Sequence, residues 1–479
     1  MVVVSILLMI LMLSVLTVVH EWGHFIVARI FKIRVNEFSI FMGPKLFQRK
    51  TKKTGMLFSV RALPVGGYCA LEGETDEVDD DGRPVPPAKD SFVVKPWYVR
   101  ALVLLAGVTM NYILALLIVS VLFCFNGYDT RKVSAVSEDA PMMIAGLEPG
   151  DTVLGYNGKT VTTPMDYSLY SFVRQPEEVF FTVRKKNGEK VRYSFVREFD
   201  VKRNDAENAS DPGTVSAKVG VFRLSGKNYS ERTQLGTYTA YWDNGRALTV
   251  TLDYSETGAR TEYFYGVRDG VKGAYVTEWD NYSDGAAGNS VMLHDLHQPS
   301  GPGAVRLTDE EYVDAFINEF AQFETYSKFG FSFTYGERGN FFSIVGNSFL
   351  YVHSLIKSVF MSLWFLISGQ IGLNALAGPI GLTKVVNQVV TVSAPSGLKI
   401  ASLAEMTALI SANLAVINLL PFPGLDGGKL LFIVIELIRG GKKVSPKVEG
   451  ILTMIFFGLL ILLAIVVAGN DIFGIISGR

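Results

Sequence analysis

Four long apolar stretches constrain this chain more strongly than any other feature of its sequence. They are Val2–Ile30, Ala101–Phe125, Ile400–Leu420 and Ile451–Val467. The hydrocarbon core of a bilayer is about 30 Å thick, and a helix of about 20 residues crosses it. Because no water inside the bilayer can satisfy backbone hydrogen bonds, such stretches fold as helices. The sequence therefore predicts a polytopic α-helical membrane protein with about four transmembrane helices.

The composition agrees with a membrane protein and argues against other classes. Of 479 residues, 49% are hydrophobic, and 45 Lys and Arg residues nearly match 46 Asp and Glu residues. No basic tract dominates, so we predict no nucleic-acid partner. Residues 1–19 carry no charge and lead into His20 instead of a cleavage site, which predicts a retained helix and not a signal peptide. The only cysteines, Cys69 and Cys124, fall on opposite predicted faces of the membrane, so no disulfide framework is expected.

Basic residues near the helix ends predict the orientation of the chain in the membrane. One cluster lies between the first two apolar stretches, and a second lies between the last two. Both loops should face the cytoplasm, which places the amino terminus, residues 126–345 and the carboxyl terminus outside. The clusters are Arg29, Lys32, Arg34, Lys45, Arg49, Lys50, Lys52 and Lys53, and Arg439, Lys442, Lys443 and Lys447.

A fifth stretch, Phe349–Ser368, is apolar but contains polar residues. His353 and Lys357 are four residues apart and would share one face of a helix. This pattern favours an amphipathic helix that lies in the membrane interface or beside the bundle. The alternative is a fifth span, which would reverse the third predicted helix and place its basic loop outside.

Residues 54–75 have the pattern of strands and not of a helix. The runs 56–63 and 67–72 are separated by Pro64-Val65-Gly66, which predicts a β-hairpin. The hairpin would lie on the cytoplasmic side, associated with the membrane between the first two helices.

The predicted external region contains two parts. Residues 130–198 resemble a PDZ domain, with a tight turn at Asn157-Gly158, where both residues accept positive φ. The groove of such a domain either binds an extended peptide by strand addition or only covers the outer mouth of the protein. Residues 200–327 are strand-rich and predict a β-rich insertion.

A His-Glu-x-x-His motif lies inside the first apolar stretch. His20 and His24 are four residues apart, so on a helix they can present two imidazoles to one metal ion while Glu21 points toward its water. A chance match is common in polar helices. At bilayer depth, however, each ionisable group costs about 2.5–3.5 kcal/mol on insertion scales, so three such groups would strongly disfavour insertion of the helix unless they had a function. The motif therefore predicts a metal site.

A catalytic zinc site needs a third protein ligand and an open position, and Asp426 is the best candidate. It follows the third helix, in a segment that runs from Asn418 and is broken by Pro421 and Pro423. His20 lies about 30 Å along the first helix at 1.5 Å per residue, at a depth similar to that of Asp426. A broken backbone is tolerated in a bilayer only where it is buried in protein or lines a wet cavity. Taken alone, Asp426 could instead cap the next helix.

The two motifs together resemble the site-2 protease family of intramembrane zinc metalloproteases, and most closely its bacterial PDZ-containing regulator-of-sigma-E protease group. The motifs are H-E-x-x-H in the first helix and N-x-x-P-x-P-x-L-D-G-G in the third, with further matches at Phe41-Met42-Gly43-Pro44, Gly107, Asn111 and Gly378-Pro379-Ile380-Gly381. The likeness covers 1–198 and about 328–479. The insertion departs from it, and Met42 stands where the family usually has glycine.

The resemblance implies that Zn²⁺ is bound by His20, His24 and Asp426, with Glu21 as the group that moves the proton. Asn418 would donate to the substrate backbone or to the oxyanion, or it would only pack between helices. The implied substrates are single-pass membrane proteins, such as anti-sigma factors or remnant signal peptides, cut during regulated intramembrane proteolysis. The implied location is the bacterial inner (cytoplasmic) membrane, as a multi-pass protein in contact with the lipid bilayer. The alternative function is a catalytically silent PDZ-bearing scaffold.

The predicted organisation follows from these assignments. It combines the membrane helices with a cytoplasmic-side β-hairpin and an extracytoplasmic PDZ-like α/β domain that carries the insertion. In chain order the segments are helix 1 (1–31), the hairpin loop (32–96), helix 2 (97–126), the PDZ-like domain (127–199), the insertion (200–327), an interfacial segment (328–399), helix 3 (400–428), a cytoplasmic loop (429–450) and helix 4 (451–479).

Overall fold

A computed structural model describes most of the chain, in two compact units. The first unit holds the described residues up to Tyr128 and those from Arg338 onward, and the second lies within Asp129–Glu337. The described residues are 2–52, 54–74, 87–137, 140–171, 178–202, 214–242, 250–252, 260–268, 271–279, 305–307, 329–369, 379–393, 395–445, 448–459, 461–462 and 464.

The first unit is a helical bundle. Its helices are α1 (Val2–Ile30), α2 (Trp97–Asn126), α5 (Phe341–Ile367), α6 (Pro379–Thr391), α7 (Ser396–Leu419), α8 (Asp426–Ile438) and the shorter apolar α9 (Val448–Leu459). Within the described residues, four of these helices are long and apolar enough to cross a membrane: α1, α2, α5 and α7. Helices α1, α2 and α7 correspond to the first three predicted spans.

The fourth long apolar helix is not the one that the sequence indicated. It is α5, which contains most of the stretch that we expected to be interfacial, whereas α9 covers only part of the predicted span 451–467. The rest of that span extends into residues outside the described part of the chain. Length and composition alone do not separate a spanning helix from one that lies along the bundle.

Two contacts show where the α5–α6 segment touches the bundle, and the interfacial position of α5 stays a prediction. The ring of Tyr351, early in α5, lies 5.5 Å from that of Phe123 near the carboxyl end of α2. After α6 begins, Ser5 near the amino end of α1 donates to Asn387 Oδ1 at 3.1 Å. Since α1 and α2 are antiparallel, these two contacts lie at the same end of the bundle.

Helices α1 and α2 approach each other very closely. A Cβ atom added to Gly23 would lie only 2.4 Å from the backbone oxygen of Ala106. Small residues allow this close approach, as in other membrane helix pairs. On its other side α2 contacts α7, where Ser411 Oγ donates to the backbone oxygen of Asn111 at 2.8 Å. Helix α2 is thus the central element against which the other two helices are positioned.

The chain between α1 and α2 forms an antiparallel strand pair, β1 (Val35–Lys50) and β2 (Leu57–Leu71). Both strands bend, so that residues 37–40 pair with 57–60 on one side and with 67–70 on the other. The predicted hairpin across Pro64-Val65-Gly66 is therefore wrong: the runs before and after it are not partners, because 37–40 separates them. Gly66 has φ +69°, so a bend is present there, but the connection between the paired strands lies between Lys50 and Leu57.

The strand pair packs along α1 toward the middle of that helix. Pro64 accepts a hydrogen bond from Ser14 Oγ, and Cys69 N donates to Glu21 Oε2 at 2.9 Å. Ser14 lies 15 residues before Arg29, about 22 Å along the helix. Because α1 is a candidate span, the strand pair lies at the depth of the span and not only at its end.

The bend in β1 coincides with the segment Phe41-Met42-Gly43-Pro44. Phe41 has φ +69° and Gly43 has φ +85°. The corner is held by Arg61, which donates to the Gly43 oxygen at 2.9 Å, to Glu37 Oε1 at 3.0 Å and to the Tyr68 hydroxyl at 2.6 Å.

The second unit contains an eight-stranded and a four-stranded sheet within its described residues. The strands are β3 (Tyr128–Val136), β4 (Thr152–Tyr156), β5 (Lys159–Thr160), β6 (Glu178–Arg184), β7 (Lys190–Lys202), β8 (Thr214–Ser225), β9 (Glu231–Trp242), β10 (Val250–Leu252), β11 (Arg260–Arg268), β12 (Val271–Trp279), β13 (Val305–Leu307) and β14 (Phe331–Glu337). The order in the larger sheet is β14-β3-β4-β6-β7-β8-β9, with β5 paired to β4. Two short helices, α3 (Pro141–Ile144) and α4 (Pro164–Ser171), lie between its strands in the sequence.

Two predictions for this unit can be compared with the structure. The tight turn at Asn157-Gly158 is confirmed, with φ +47° and +77°. The strands assigned to an insertion begin as a continuation of the same sheet, because β8 and β9 extend it beyond β7. The predicted boundary between residues 199 and 200 falls inside β7, and the sequence of this strand does not indicate a change of domain.

Candidate metal centre

Three potential metal ligands from two helices meet beside the centre of the bundle. His20 Nε2 lies 3.0 Å from Asp426 Oδ2, His24 Nε2 lies 3.3 Å from the same oxygen, and the two Nε2 atoms are 3.1 Å apart. Both histidines are buried. They lie one turn apart on α1, while Asp426 is the first residue of α8. Among the described residues, this is the group of His, Cys, Asp or Glu side chains that could hold a metal ion.

The spacing of these atoms fits a zinc ion. Ligands at about 2.0–2.1 Å around a tetrahedral ion are about 3.3–3.4 Å apart, close to the three separations found here. Two imidazole nitrogens and a carboxylate oxygen are also donors that zinc accepts. A cavity lies beside these three donors.

The outer ring nitrogens decide which form each histidine takes. His24 Nδ1 lies 2.8 Å from the backbone oxygen of Val103, so Nδ1 carries the hydrogen and Nε2 presents a lone pair. His20 Nδ1 lies 3.3 Å from Asn111 Nδ2, and Asn111 Oδ1 is buried without a partner in the described part of the chain. With the amide turned over, Oδ1 accepts the Nδ1 hydrogen. Two lone pairs would then face each other at 3.1 Å, an arrangement that a cation stabilises.

Gly107 on α2 forms the floor beneath the two imidazoles. A Cβ atom at this position would lie 2.5 Å from His24 Nε2 and 2.7 Å from His20 Nε2. Only glycine leaves room for both rings at this crossing of α1 and α2.

Glu21 lies next to the ligands and is fixed by the strand pair. Cys69 N on β2 donates to Glu21 Oε2 at 2.9 Å. The carboxylate therefore connects the helix that carries both histidines with the strand that lies along it.

The broken segment after α7 delivers Asp426. Cβ atoms on Gly427 and Gly428 would lie 2.3 Å from Leu419 O and 2.1 Å from Phe422 O, so only glycines let the chain fold back onto the end of α7. Helix α8 begins without a side-chain cap, and the Asp426 carboxylate faces the histidines. In the structure, the Asp426 side chain therefore does not cap helix α8.

A cavity of about 380 Å³ opens beside the three ligands. Asn418 lines it, with Nδ2 3.4 Å from His20 Nε2. Lys429, one turn after Asp426, also lines it and pairs with Glu74 at 2.5 Å. The cavity is large enough for water and for a short piece of extended chain beside the ligands.

Sequence reasoning missed several of these groups. The Val103 oxygen and the Cys69 nitrogen are backbone atoms, so the residue type at these positions does not indicate their role. Lys429 and Glu74 could have been suspected, since a lysine in an apolar helix one turn from a candidate ligand needs a partner. Gly107 and Asn111 came only from the resemblance, four residues apart on one face of α2.

Comparisons with known proteins extend over nearly the whole chain. The sequence profile of peptidase family M50 matches residues 8–463. The regulator of sigma-W protease RasP of Bacillus subtilis is 28% identical, with 97% of each chain covered. The zinc metalloproteases RasP of Shouchella clausii and Oceanobacillus iheyensis are 25% and 24% identical, with 96% and 97% of each chain covered. The matched region includes both helices that carry the three clustered side chains.

Proposed function

The chain belongs to peptidase family M50, the site-2 protease family, and on that premise we propose that it cuts within the transmembrane segments of single-pass membrane proteins. It is a zinc metalloprotease of the site-2 type and a multi-pass membrane protein. The substrate class, the role of each residue and the orientation in the membrane are parts of the proposal.

One observation carries the proposal. Two imidazole nitrogens and one carboxylate oxygen converge within 3.3 Å of one another beside a cavity, inside a bundle of candidate spans. We assign His20, His24 and Asp426 as the zinc ligands. His20 and His24 lie on one candidate span, and Asp426 follows shortly after the end of another, which supports hydrolysis inside the membrane and not at its surface.

Glu21 is the group that we assign to proton transfer. Zinc, when bound, supplies a Lewis acid that activates water and polarises the scissile carbonyl. Glu21 takes the proton from the attacking water and gives it to the nitrogen of the leaving amine. The hydrogen bond from Cys69 N holds one carboxylate oxygen, so the other is the oxygen that we assign to the water. Removal of general acid–base catalysis costs typically 10²–10⁴-fold in rate.

Asn418 is our candidate for contact with the substrate. Its amide lines the cavity close to His20, where a donor would meet the scissile carbonyl or a neighbouring backbone oxygen. The competing role is packing between α7 and α1. A change of kcat with unchanged zinc content in Asn418→Ala would support the first role, and an unchanged kcat would support the second.

The substrate must unwind before it is cut, because a helix hides its carbonyls in hydrogen bonds. The outer segment of β2, residues 67–71, lies beside Glu21 and has an edge directed toward α1. An extended substrate could add to this edge by strand pairing. The proximity of that edge to Glu21 supports this arrangement.

The substrates that we propose are anti-sigma factors or remnant signal peptides, cut in regulated intramembrane proteolysis. The Bacillus subtilis relative bears the name of a regulator of sigma-W protease, which supports the first of these. We further propose that residues 130–198 form a PDZ-like domain outside the bacterial inner membrane, as the basic loops predict.

The competing function is a silent scaffold, and Glu21→Gln tests between the two. The variant keeps the size of the side chain and all three ligands. With purified protein and a model single-pass substrate in liposomes, the wild type should cut and Glu21→Gln should bind zinc without cutting. Equal cleavage by the variant would refute the assigned chemistry, and no cleavage of any tested single-pass substrate by the wild type would favour the scaffold.

A further inference from the structure

A second cavity, of about 750 Å³, lies at the carboxyl end of α1, away from the metal centre. It is formed where the end of α1, both ends of β1 and the start of β2 come together. Four of its lining residues are cations: Arg29, Lys32, Arg34 and Lys50. Nothing in the proposed proteolytic mechanism uses this cavity.

The charges around this cavity are not balanced within the described part of the chain. Asp90 is the one carboxylate that lines it, and it pairs with Arg34 at 2.8 Å. Arg29, Lys32 and Lys50 form no ion pair with any described residue. Three like charges that converge on one concave surface repel each other unless an anion lies between them.

The position of the cavity indicates which kind of anion it would receive. Arg29 lies 18 residues after Leu11, five full helical turns, so both lie on the same face of α1. Leu11, Val15 and Trp22 on this face are 50%, 47% and 48% exposed, and Ile30 beside Arg29 is 67% exposed. In a candidate span, exposed apolar side chains of this kind face lipid. The cations therefore lie at the end of a lipid-facing surface, at the depth of the phospholipid head groups.

We propose that this cavity binds the head group of an anionic glycerophospholipid, with its acyl chains along the face of α1 that carries Leu11, Val15 and Trp22. The phosphate oxygens accept hydrogen bonds from Arg29, Lys32 and Lys50. Asn36 and Thr54 line the same cavity and provide polar contacts for a glycerol head group. The bound lipid thereby bridges the end of the helix that carries both histidines and the two ends of β1.

A general attraction between basic loops and an anionic membrane is the simplest competing explanation. The chain offers a matched control for it. Arg439, Lys442 and Lys443 are also three exposed cations at the end of an apolar helix, and they do not line this cavity. At about fivefold for each contact between a cavity cation and the lipid phosphate, the loss of all three contacts should weaken binding on the order of 100-fold, whereas the control cations make no such contact.

The experiment compares lipid retention in the full-length protein. Wild type, the variant Arg29→Gln/Lys32→Gln/Lys50→Gln and the control Arg439→Gln/Lys442→Gln/Lys443→Gln are purified in a non-ionic detergent. Each is titrated with phosphatidylglycerol or phosphatidylcholine, and bound lipid is counted by native mass spectrometry. We expect wild type and control to bind about one phosphatidylglycerol in preference to phosphatidylcholine, and the cavity variant to bind it on the order of 100-fold more weakly.

Three results would overturn the proposal. Equal weakening in both triple variants would show a general charge effect. Displacement of the lipid by inorganic phosphate or glycerol phosphate at similar concentrations would show a site for free phosphate compounds. The third result concerns the acidic run Asp76–Asp81 of this chain. If the wild type binds no phosphatidylglycerol but the variant Asp79→Asn/Asp80→Asn/Asp81→Asn binds it, carboxylates of the chain itself neutralise the cavity. Thermal unfolding of each variant without lipid verifies that all are folded.

Discussion

The replacement Gly107→Ala tests whether the two histidines act as metal ligands. The added Cβ would lie 2.5 Å from His24 Nε2 and 2.6 Å from His20 Cε1, whereas ordinary contact begins at 3.4 Å. The rings must therefore retreat by about 0.9 Å. They are not free to do so cheaply, because Val103 O and Asn111 hold their outer nitrogens.

The size of the effect follows from the geometry of zinc. Metal–ligand distances are kept within about 0.2 Å, so a shift several times larger breaks the coordination of at least one histidine. Loss of a supporting hydrogen bond alone costs about 10–100-fold in metal affinity. Direct displacement of ligands should cost at least about 100-fold, or about 2.7 kcal/mol. Overpacking at the α1–α2 crossing should also destabilise the fold by about 1–3 kcal/mol.

The assay separates these two effects. Zinc affinity is measured by competition with a chromophoric chelator, and stability is measured by thermal unfolding of the metal-free protein. The control is Gly346→Ala in α5, where an added Cβ meets no atom within 4 Å. It should keep its zinc affinity and gain up to about 1 kcal/mol of helix stability. If Gly107→Ala bound zinc as tightly as the wild type, the reasoning about the metal centre would be wrong.

Further predictions concern the ligands, their support and the orientation of the chain. His24→Ala should lose its zinc in detergent, as measured by elemental analysis, and a full equivalent of retained zinc would contradict its assignment. Asn111→Leu removes the acceptor for His20 Nδ1 and should lower zinc affinity about 10–100-fold in the chelator assay, whereas Asn111→Gln should restore part of it. In a variant without Cys69 and Cys124, an impermeant thiol reagent applied outside whole cells should label Cys introduced at Ser210 and not at Ser445. Reversed labelling would overturn the predicted orientation.

The parts of the fold that could be predicted are those that local sequence determines. Helices α1, α2 and α7 begin and end within a few residues of the predicted spans, because an apolar run in a bilayer has no alternative to a helix. The meeting of His20, His24 and Asp426 also follows from local features. The i, i+4 spacing fixes the histidines, and the broken segment after α7 places the aspartate at their depth.

The parts that could not be predicted depend on contacts between distant segments. The sequence around Pro64-Val65-Gly66 indicates a bend but not the partner across it, and residues 37–40 take the place between the two runs. Likewise, the composition of α5 fits both a span and a helix beside the bundle. The contact of α5 with Phe123, and that of the following helix α6 with Ser5, become visible only in the folded chain.

The supporting shell of the metal centre was hidden for a different reason. The Val103 oxygen and the Cys69 nitrogen act through the backbone, so any residue type could stand at those positions. Their positions depend on the packing of α2 and β2 against α1. That packing depends on Gly23, where α1 and α2 touch.

The most direct test of the account is the position of the cut. A purified single-pass substrate with a known transmembrane segment is incubated with the protein in liposomes, and both product termini are read by mass spectrometry. The account predicts a new amino terminus inside the transmembrane segment, produced by the wild type, absent with Glu21→Gln, lost on zinc chelation and restored by added zinc. A cut outside the segment, or one that survives in Glu21→Gln, would contradict hydrolysis by this site within the membrane.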